Sequence, residues 1–90
     1  MEKPIEPVVS MSESTLRSRF HANLIMLKTE RGCSIPELHR IIVRKGGDVS
    51  EGTVGAWCRG EALPGTGSQF AIAAALGVTR DDLFAAERGE

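Results

Sequence analysis

Glycines at four places limit this chain to short helices. Gly32, the pair Gly46 and Gly47, Gly60 and Gly77 each follow a segment whose apolar residues recur every three or four positions. That spacing predicts amphipathic helices, and a glycine just beyond the last turn is a common helix end. No segment shows the apolar–polar alternation of a half-buried strand. Because 90 residues suffice for one modest core, we expect an all-α, compact five-helix bundle.

The first helix is predicted to begin near Ser12 to Ser14, where several hydroxyls can cap it. Leu16, Phe20, Leu24 and Leu27 follow at spacings of four, four and three, which places them on one face. The preceding residues 1–11 contain two prolines and no sustained period, and we expect a flexible N-terminal arm there. The predicted domain then covers residues 12–86, and residues 87–90 are expected to form a C-terminal tail.

The second and third helices have clear start signals. Ser34 and Glu37 have the spacing of a capping box, which predicts a helix whose core side includes Leu38, Ile41 and Ile42. Ser50 is the expected cap of a short third helix that ends at Gly60. Val54 and Trp57 are predicted to point inward from it, the tryptophan as a core residue.

Two more helices are expected near the C-terminus. The fourth is predicted over about Thr66 to Leu76, with Phe70, Ala73 and Leu76 on its core side. The fifth is expected to begin at the box formed by Thr79 and Asp82, with Leu83 and Phe84 as apolar anchors. The central residues of the fourth helix carry no charge, so this helix is either nearly enclosed or offers a face to a partner.

The charge is unevenly distributed. The formal net charge is -1, but residues 15–60 carry eight Lys or Arg against four Asp or Glu and are therefore at +4. Local field rather than the total governs the attraction of phosphates, so the central segment is compatible with nucleic acid. Solvated helix faces also have this composition, so charge alone leaves the question open.

Several functional classes have little support in the sequence. Cys33 and Cys58 are expected to be free, partly or fully buried thiols, and His21 and His39 to be ordinary helix-surface residues; no pair has a metal-ligand spacing. No metal or cofactor is predicted, and no arrangement of carboxylates, cysteines or histidines indicates an enzyme. We see no export signal and no apolar run long enough for a bilayer, so a cytoplasmic protein without membrane contact is expected.

Helices two and three indicate a helix-turn-helix. In such a motif the second helix enters the major groove of DNA and the first crosses the backbone. This requires apolar residues between the helices, a cap on the second helix and no large apolar side chain on its outward face. The sequence meets these requirements with an outward face predicted to consist of Glu51, Gly52, Gly55 and Ala56.

The chain also resembles the phage-repressor and Cro-like helix-turn-helix family, often called the XRE family. The resemblance covers about Leu24 to Phe84. Its matching blocks are Leu27-Lys28…Arg31-Gly32-x-Ser34…Glu37-Leu38, Val49-Ser50-x-x-Thr53-Val54-x-x-Trp57-x-x-Gly60, and Pro64 followed by Ala73-x-Ala75-Leu76-Gly77-Val78-Thr79-x-Asp81-x-Leu83.

The resemblance implies a five-helix, lambda-repressor-like domain that binds operators as a symmetric homodimer. It places Glu51, Gly52 and Ala56 where base-contacting side chains lie in the family, and Ser50 and Thr53 at phosphate- or base-contacting positions. The chain departs from the family at Ile35, where many members have a polar residue, and in the longer stretch from Val43 to Asp48.

From the residues, Glu51 is predicted to accept from cytosine N4 and Ala56 to contact a thymine methyl. The cations predicted to contact phosphates are Arg59, Arg44, Lys45, Arg40 and Lys28. The expected function is sequence-specific binding of double-stranded DNA by a transcriptional regulator, a repressor that acts by occupying its operator. The alternative is a protein-interaction module with a helix-turn-helix fold, which binds a regulator or an antitoxin partner and has weak or no DNA binding.

Overall fold

The computed structural model describes residues 12–86, and the predicted arm at 1–11 and tail at 87–90 lie outside this range. The described chain forms α1 (Glu13–Arg31), α2 (Ile35–Arg44), α3 (Glu51–Cys58) and α4 (Thr66–Leu76), followed by a 3₁₀ helix (Asp81–Phe84). In space α1 packs against α3 and the 3₁₀ helix, and α2 packs against α3 and α4. The protein is therefore all-helical over the described residues, as expected.

The helix ends follow the local signals. Ser12 caps α1, and Gly32 ends it with φ of 65°. In α2 the expected reciprocal box is present: the Ser34 N–H donates to Glu37 Oε1 at 2.8 Å, and the Glu37 N–H donates to Ser34 Oγ at 3.2 Å. Gly77, with φ of 72°, ends α4. These starts and stops are confirmed because each depends on residues within one turn.

The expected fifth α-helix is wrong. Thr79 and Asp82 do form the predicted box, with bonds of 3.0 and 3.2 Å, but only the four-residue 3₁₀ helix follows. Asn23 of α1 is buried and its Nδ2 donates to the carbonyls of Leu83 and Ala85, both at 3.0 Å. Ala85 is extended, so the bundle consists of four α-helices and one 3₁₀ helix within the described residues.

Phe20 lies at the centre of the core. It is fully buried, its ring meets Trp57 edge-on with 6.4 Å between centroids, and it lies 5.9 Å from the ring of Phe84. One side chain of α1 thus contacts α3 and the 3₁₀ helix together. The prediction of Trp57 as a core residue is confirmed. The other large side chains that are fully buried are Leu24, Leu38, Ile42, Val54, Ile72, Leu76 and Leu83.

Phe70 is not on the core side of α4, which corrects the prediction. Its side chain is 57% exposed, and the Arg80 guanidinium lies over its ring at 5.1 Å from the centroid. The core side of α4 is instead defined by the fully buried Ile72. Residues two positions apart in an α-helix differ by about 200° in direction around the helix axis, so Phe70 and Ile72 cannot both face inward.

Both cysteines are free thiols, as predicted; Cys33 is partly buried and Cys58 is buried. Burial raises the pKa of the Cys58 thiol, and the nearby positive charges of Lys28 and Arg59 oppose this shift. Between residues 12 and 86 no helix is both long and apolar enough to cross a bilayer.

Candidate nucleic-acid interface

The third helix is a separate, well-capped unit of eight residues. Ser50 is extended and its Oγ accepts from the Thr53 N–H at 3.2 Å, which satisfies an otherwise unpaired amide of the first turn. Val54 and Trp57, which point inward, are buried. The apolar contact with α2 therefore leaves the opposite side of α3 toward solvent.

In the turn before α3, the backbone at Gly47 lies very close to Ile42 of α2 and Ala71 of α4. Gly46 has φ of 101°, which a glycine adopts without strain. A Cβ on Gly47 would lie 2.5 Å from Ile42 Cγ2, 3.0 Å from the Ile42 carbonyl oxygen and 3.3 Å from Ala71 Cβ. Gly47 therefore allows the chain to pass directly over the end of α2 beside α4. The long stretch from Val43 to Asp48 is accounted for: α2 extends to Arg44 and a glycine turn follows.

Two histidines fix the two ends of α3. The His39 ring on α2 donates from Nε2 to the Val49 carbonyl at 2.8 Å, immediately before the cap. The His21 ring on α1 donates from Nε2 to the Cys58 carbonyl at 3.0 Å, at the last residue of α3. A Cβ on Gly60 would lie 3.2 Å from the His21 ring. Both histidines are partly buried, so the expectation of ordinary surface residues is wrong; their partners are distant in sequence and left no local signal.

The predicted outward face is partly present. Glu51 and Gly52 are exposed, Thr53 and Ala56 are partly buried, and the capping Ser50 is exposed. The three predicted base-contacting residues are thus not packed inside the described part of the chain. They lie within two turns at the start of α3.

Gly55 differs from the prediction. It is buried, because the Arg59 side chain lies over it: a Cβ on Gly55 would be 3.1 Å from Arg59 Nη1. The Arg59 guanidinium is exposed and forms an ion pair with Glu61, which was not among the predicted site residues. The sequence offered a signal for this pair, since the two residues flank the glycine that ends α3.

The remaining predicted cations lie on α1 and α2. Arg40 and Arg44 are exposed on one side of α2, where they line a shallow depression together with Arg31 and Cys33; no residue of α3 lines it. Lys45 is exposed at the end of α2, and Lys28 is partly buried on α1. The predicted site residues thus form one group on α3 and a pair, Arg40 and Arg44, beside the α1–α2 connection, while Lys45 lies at the end of α2 and Lys28 lies on α1 near Cys58.

The surface of α3 is not basic by itself. Glu51 and Glu61 outnumber Arg59 among residues 50–61. Any attraction of phosphates must therefore come from neighbouring elements. Among residues 12–86 no group of three or more His, Cys, Asp or Glu side chains is placed to hold a metal ion. Comparison of the chain with protein-family models, curated proteins and solved structures finds no match.

Proposed function

We propose that this protein binds double-stranded DNA by inserting the outward face of α3 into the major groove. The observation that carries the proposal is the exposure of Glu51 and Gly52 at the capped start of a short helix whose other side is packed on α2. A helix presented in this way can bring its first residues to base edges. The absence of large side chains at Gly52 and Ala56 lets its backbone approach the groove closely.

The proposal includes a biological role. The protein would be a cytoplasmic transcriptional regulator of the phage-repressor and Cro-like helix-turn-helix class, and it would repress by occupying an operator as a homodimer. The support for this part is the sequence resemblance together with the all-helical fold. A symmetric dimer would select a palindromic site, so selection of bound duplexes from a random pool tests specificity and symmetry together.

The direct test of DNA binding is the affinity for duplexes measured over a range of salt concentrations. Log K is expected to fall linearly with log salt, with a slope of about -0.9 for each phosphate neutralised. Replacing Arg44 by Ala should weaken binding to all duplexes alike and flatten that slope. No binding at low salt, or a response that does not depend on salt, would count against the proposal.

Base recognition is tested separately at Glu51. The variant Glu51→Ala is expected to change the preferred base at one position of the selected site, because a carboxylate accepts from cytosine N4. Asp81→Ala, which removes an exposed acid on the 3₁₀ helix, is the matched control. An unchanged selected sequence in Glu51→Ala would show that the register assumed for α3 is wrong.

The second candidate is a module that binds a regulatory protein through the same helix. The observations that favour it are the excess of acid on α3 and the pairing of Arg59 with Glu61. Such a module would bind a partner through the small outward residues of α3 and show no steep salt dependence with duplex DNA. The salt titration therefore separates the two candidates.

A further inference from the structure

The Arg59 side chain lies along the outward side of α3 and does not extend away from the helix end. Arg59 is the residue after the last turn of α3, four positions beyond Gly55. Its Nη1 lies over Gly55, where a Cβ would come within 3.1 Å of it. Residues four apart share a helix face, and Glu51 precedes Gly55 by the same interval. The guanidinium is therefore part of the face that begins at Glu51.

Glu61 holds the guanidinium in this place by two bonds. Arg59 Nε donates to Glu61 Oε2 at 3.0 Å, and Nη2 donates to Oε1 at 3.3 Å. The Glu61 backbone is itself fixed, because its N–H donates to the Ala56 carbonyl at 2.9 Å across Gly60. These hydrogen bonds, together with the charge of Glu61, raise the pKa of Arg59 above its usual value.

The ion pair uses only one edge of the guanidinium. Arginine carries five N–H donors, and the carboxylate of Glu61 takes one on Nε and one on Nη2. Within residues 12–86 the guanidinium makes no other polar contact, so both N–H groups of Nη1 and the second of Nη2 remain. That second edge is planar and suits a ligand that offers two acceptors side by side.

We propose that Arg59 recognises a guanine in the major groove through its Nη1–Nη2 edge, and that Glu61 is the positioning residue that holds it there. This inference depends on the proposed function. Guanine presents O6 and N7 as adjacent acceptors, and arginine bound to both is the commonest specific contact in protein–DNA complexes. The role differs from the phosphate contact that the sequence predicts for Arg59.

Two observations favour a base over a phosphate. The Glu61 carboxylate lies beside the guanidinium and would repel a phosphate, whereas the acceptors of guanine carry no net charge. The guanidinium also lies over Gly55, one turn before the end of α3, on the side of the helix that begins at Glu51. Gly55 supplies the space that this placement needs.

The test compares the sequence preferences of the wild type, Arg59→Lys and Glu61→Gln by selection from a random duplex pool, followed by affinity measurements. The wild type should prefer guanine at one position of each half-site, by roughly 5- to 150-fold over other bases. Arg59→Lys keeps the positive charge but loses the planar pair of N–H donors, and it should abolish this preference. Glu61→Gln should weaken the same preference at the same position. Arg80→Lys, which alters a cation beside Phe70, is the control and should retain it.

A measurement from the DNA side complements the variants. Replacing that guanine by 7-deazaguanine removes the N7 acceptor and should weaken wild-type binding, with little further effect on Arg59→Lys. Far-UV circular dichroism checks that each variant is folded, as expected for two side chains that are 58% and 59% exposed.

Three results would overturn the inference. A loss of affinity that is equal for all sequences in Arg59→Lys would assign Arg59 to a phosphate. Tighter binding to every duplex by Glu61→Gln, with unchanged preference, would make Glu61 a simple counter-charge. No guanine preference in the wild type would also exclude it. If the wild type binds no duplex at all, the proposed function fails together with this inference. If it binds duplexes without a guanine preference, only this inference fails.

Discussion

Replacing Gly47 by alanine should destabilise the whole domain, although the change adds a single methyl group. The new Cβ would lie 2.5 Å from Ile42 Cγ2 and 3.0 Å from the Ile42 carbonyl oxygen. Ile42 is fully buried and the carbonyl is part of α2, so neither neighbour can move without disturbing the core. Gly47 does not have positive φ, so the effect measures packing and not backbone strain.

The expected magnitude follows from two opposing terms. Overpacking of a well-packed site costs about 1–3 kcal/mol, while the loss of unfolded-state freedom on changing glycine to alanine returns about 0.4–1 kcal/mol. The net destabilisation should be about 1–2 kcal/mol. For a domain of this size each kcal/mol shifts Tm by roughly 4–8 °C, so Tm should fall by roughly 4–16 °C.

The assay is thermal and urea unfolding followed by circular dichroism at 222 nm. Gly67→Ala is the matched control, because a Cβ there meets no atom within 4 Å and the residue lies in α4. The control should be neutral or stabilise by up to ~1 kcal/mol. Equal stability of Gly47→Ala and Gly67→Ala would refute the argument that the α2–α3 turn is closely packed over α2.

Three further predictions concern the rest of the bundle. Asn23→Ala removes two hydrogen bonds to residues 83 and 85 and should lower the free energy of unfolding by ~2 kcal/mol. Amide hydrogen exchange should accelerate most at residues 83–86, and protection equal to the wild type there would contradict the prediction. Phe20→Ala should cost about 3–5 kcal/mol in urea unfolding, whereas Phe70→Ala should cost under ~1 kcal/mol because Phe70 is exposed; a large loss in the latter would place Phe70 in an interface. The Ser34 backbone and side-chain hydrogen bonds lower the pKa of Glu37 below its ordinary value of 4.5, so the charged form stabilises the fold above that pH and the contribution disappears as the pH falls through the folded-state pKa. The Tm difference between the wild type and Glu37→Gln should therefore be present at neutral pH and vanish in acid, and a difference that grows in acid would show the opposite sign.

The parts of the fold that sequence reasoning predicted correctly are those decided within one helical turn. Ser34 and Glu37 form their box, and Gly32 and Gly77 end their helices, because capping needs only near neighbours. The inward direction of Val54 and Trp57 followed from spacing alone. These features required no knowledge of how the helices are arranged.

The features that were missed depend on contacts between distant segments. The position of Phe70 could not be derived from the apolar pattern of α4, where nearly every residue is small or apolar and no polar side marks the surface. The bonds of His21 and His39 join residues 37 and 10 positions apart. The fifth α-helix was predicted from its start signal, but its end is set by Asn23, some 60 residues earlier.

For the candidate site, the structure can be compared with the sequence prediction only in the exposure of the residues. Glu51 and Gly52 are exposed as expected, but the burial of Gly55 results from a side chain that folds back along the helix. The sequence places Arg59 and Glu61 two residues apart, yet only the turn at Gly60 brings their charged groups together. Periodicity describes which side of a helix a residue occupies and says nothing about what long side chains cover.

Imidazole rings bond to the backbone at both ends of α3, so the residues that orient this helix differ from those on its outward face. His21 and His39 belong to other helices and bond only to main-chain carbonyls, so their grip does not depend on which side chains α3 displays. Substitutions at positions 51, 52 and 56 can thus change the outward side chains of α3 while the helix keeps its orientation in the bundle. Under the proposed function, a change of the recognised sequence would then need few mutational steps.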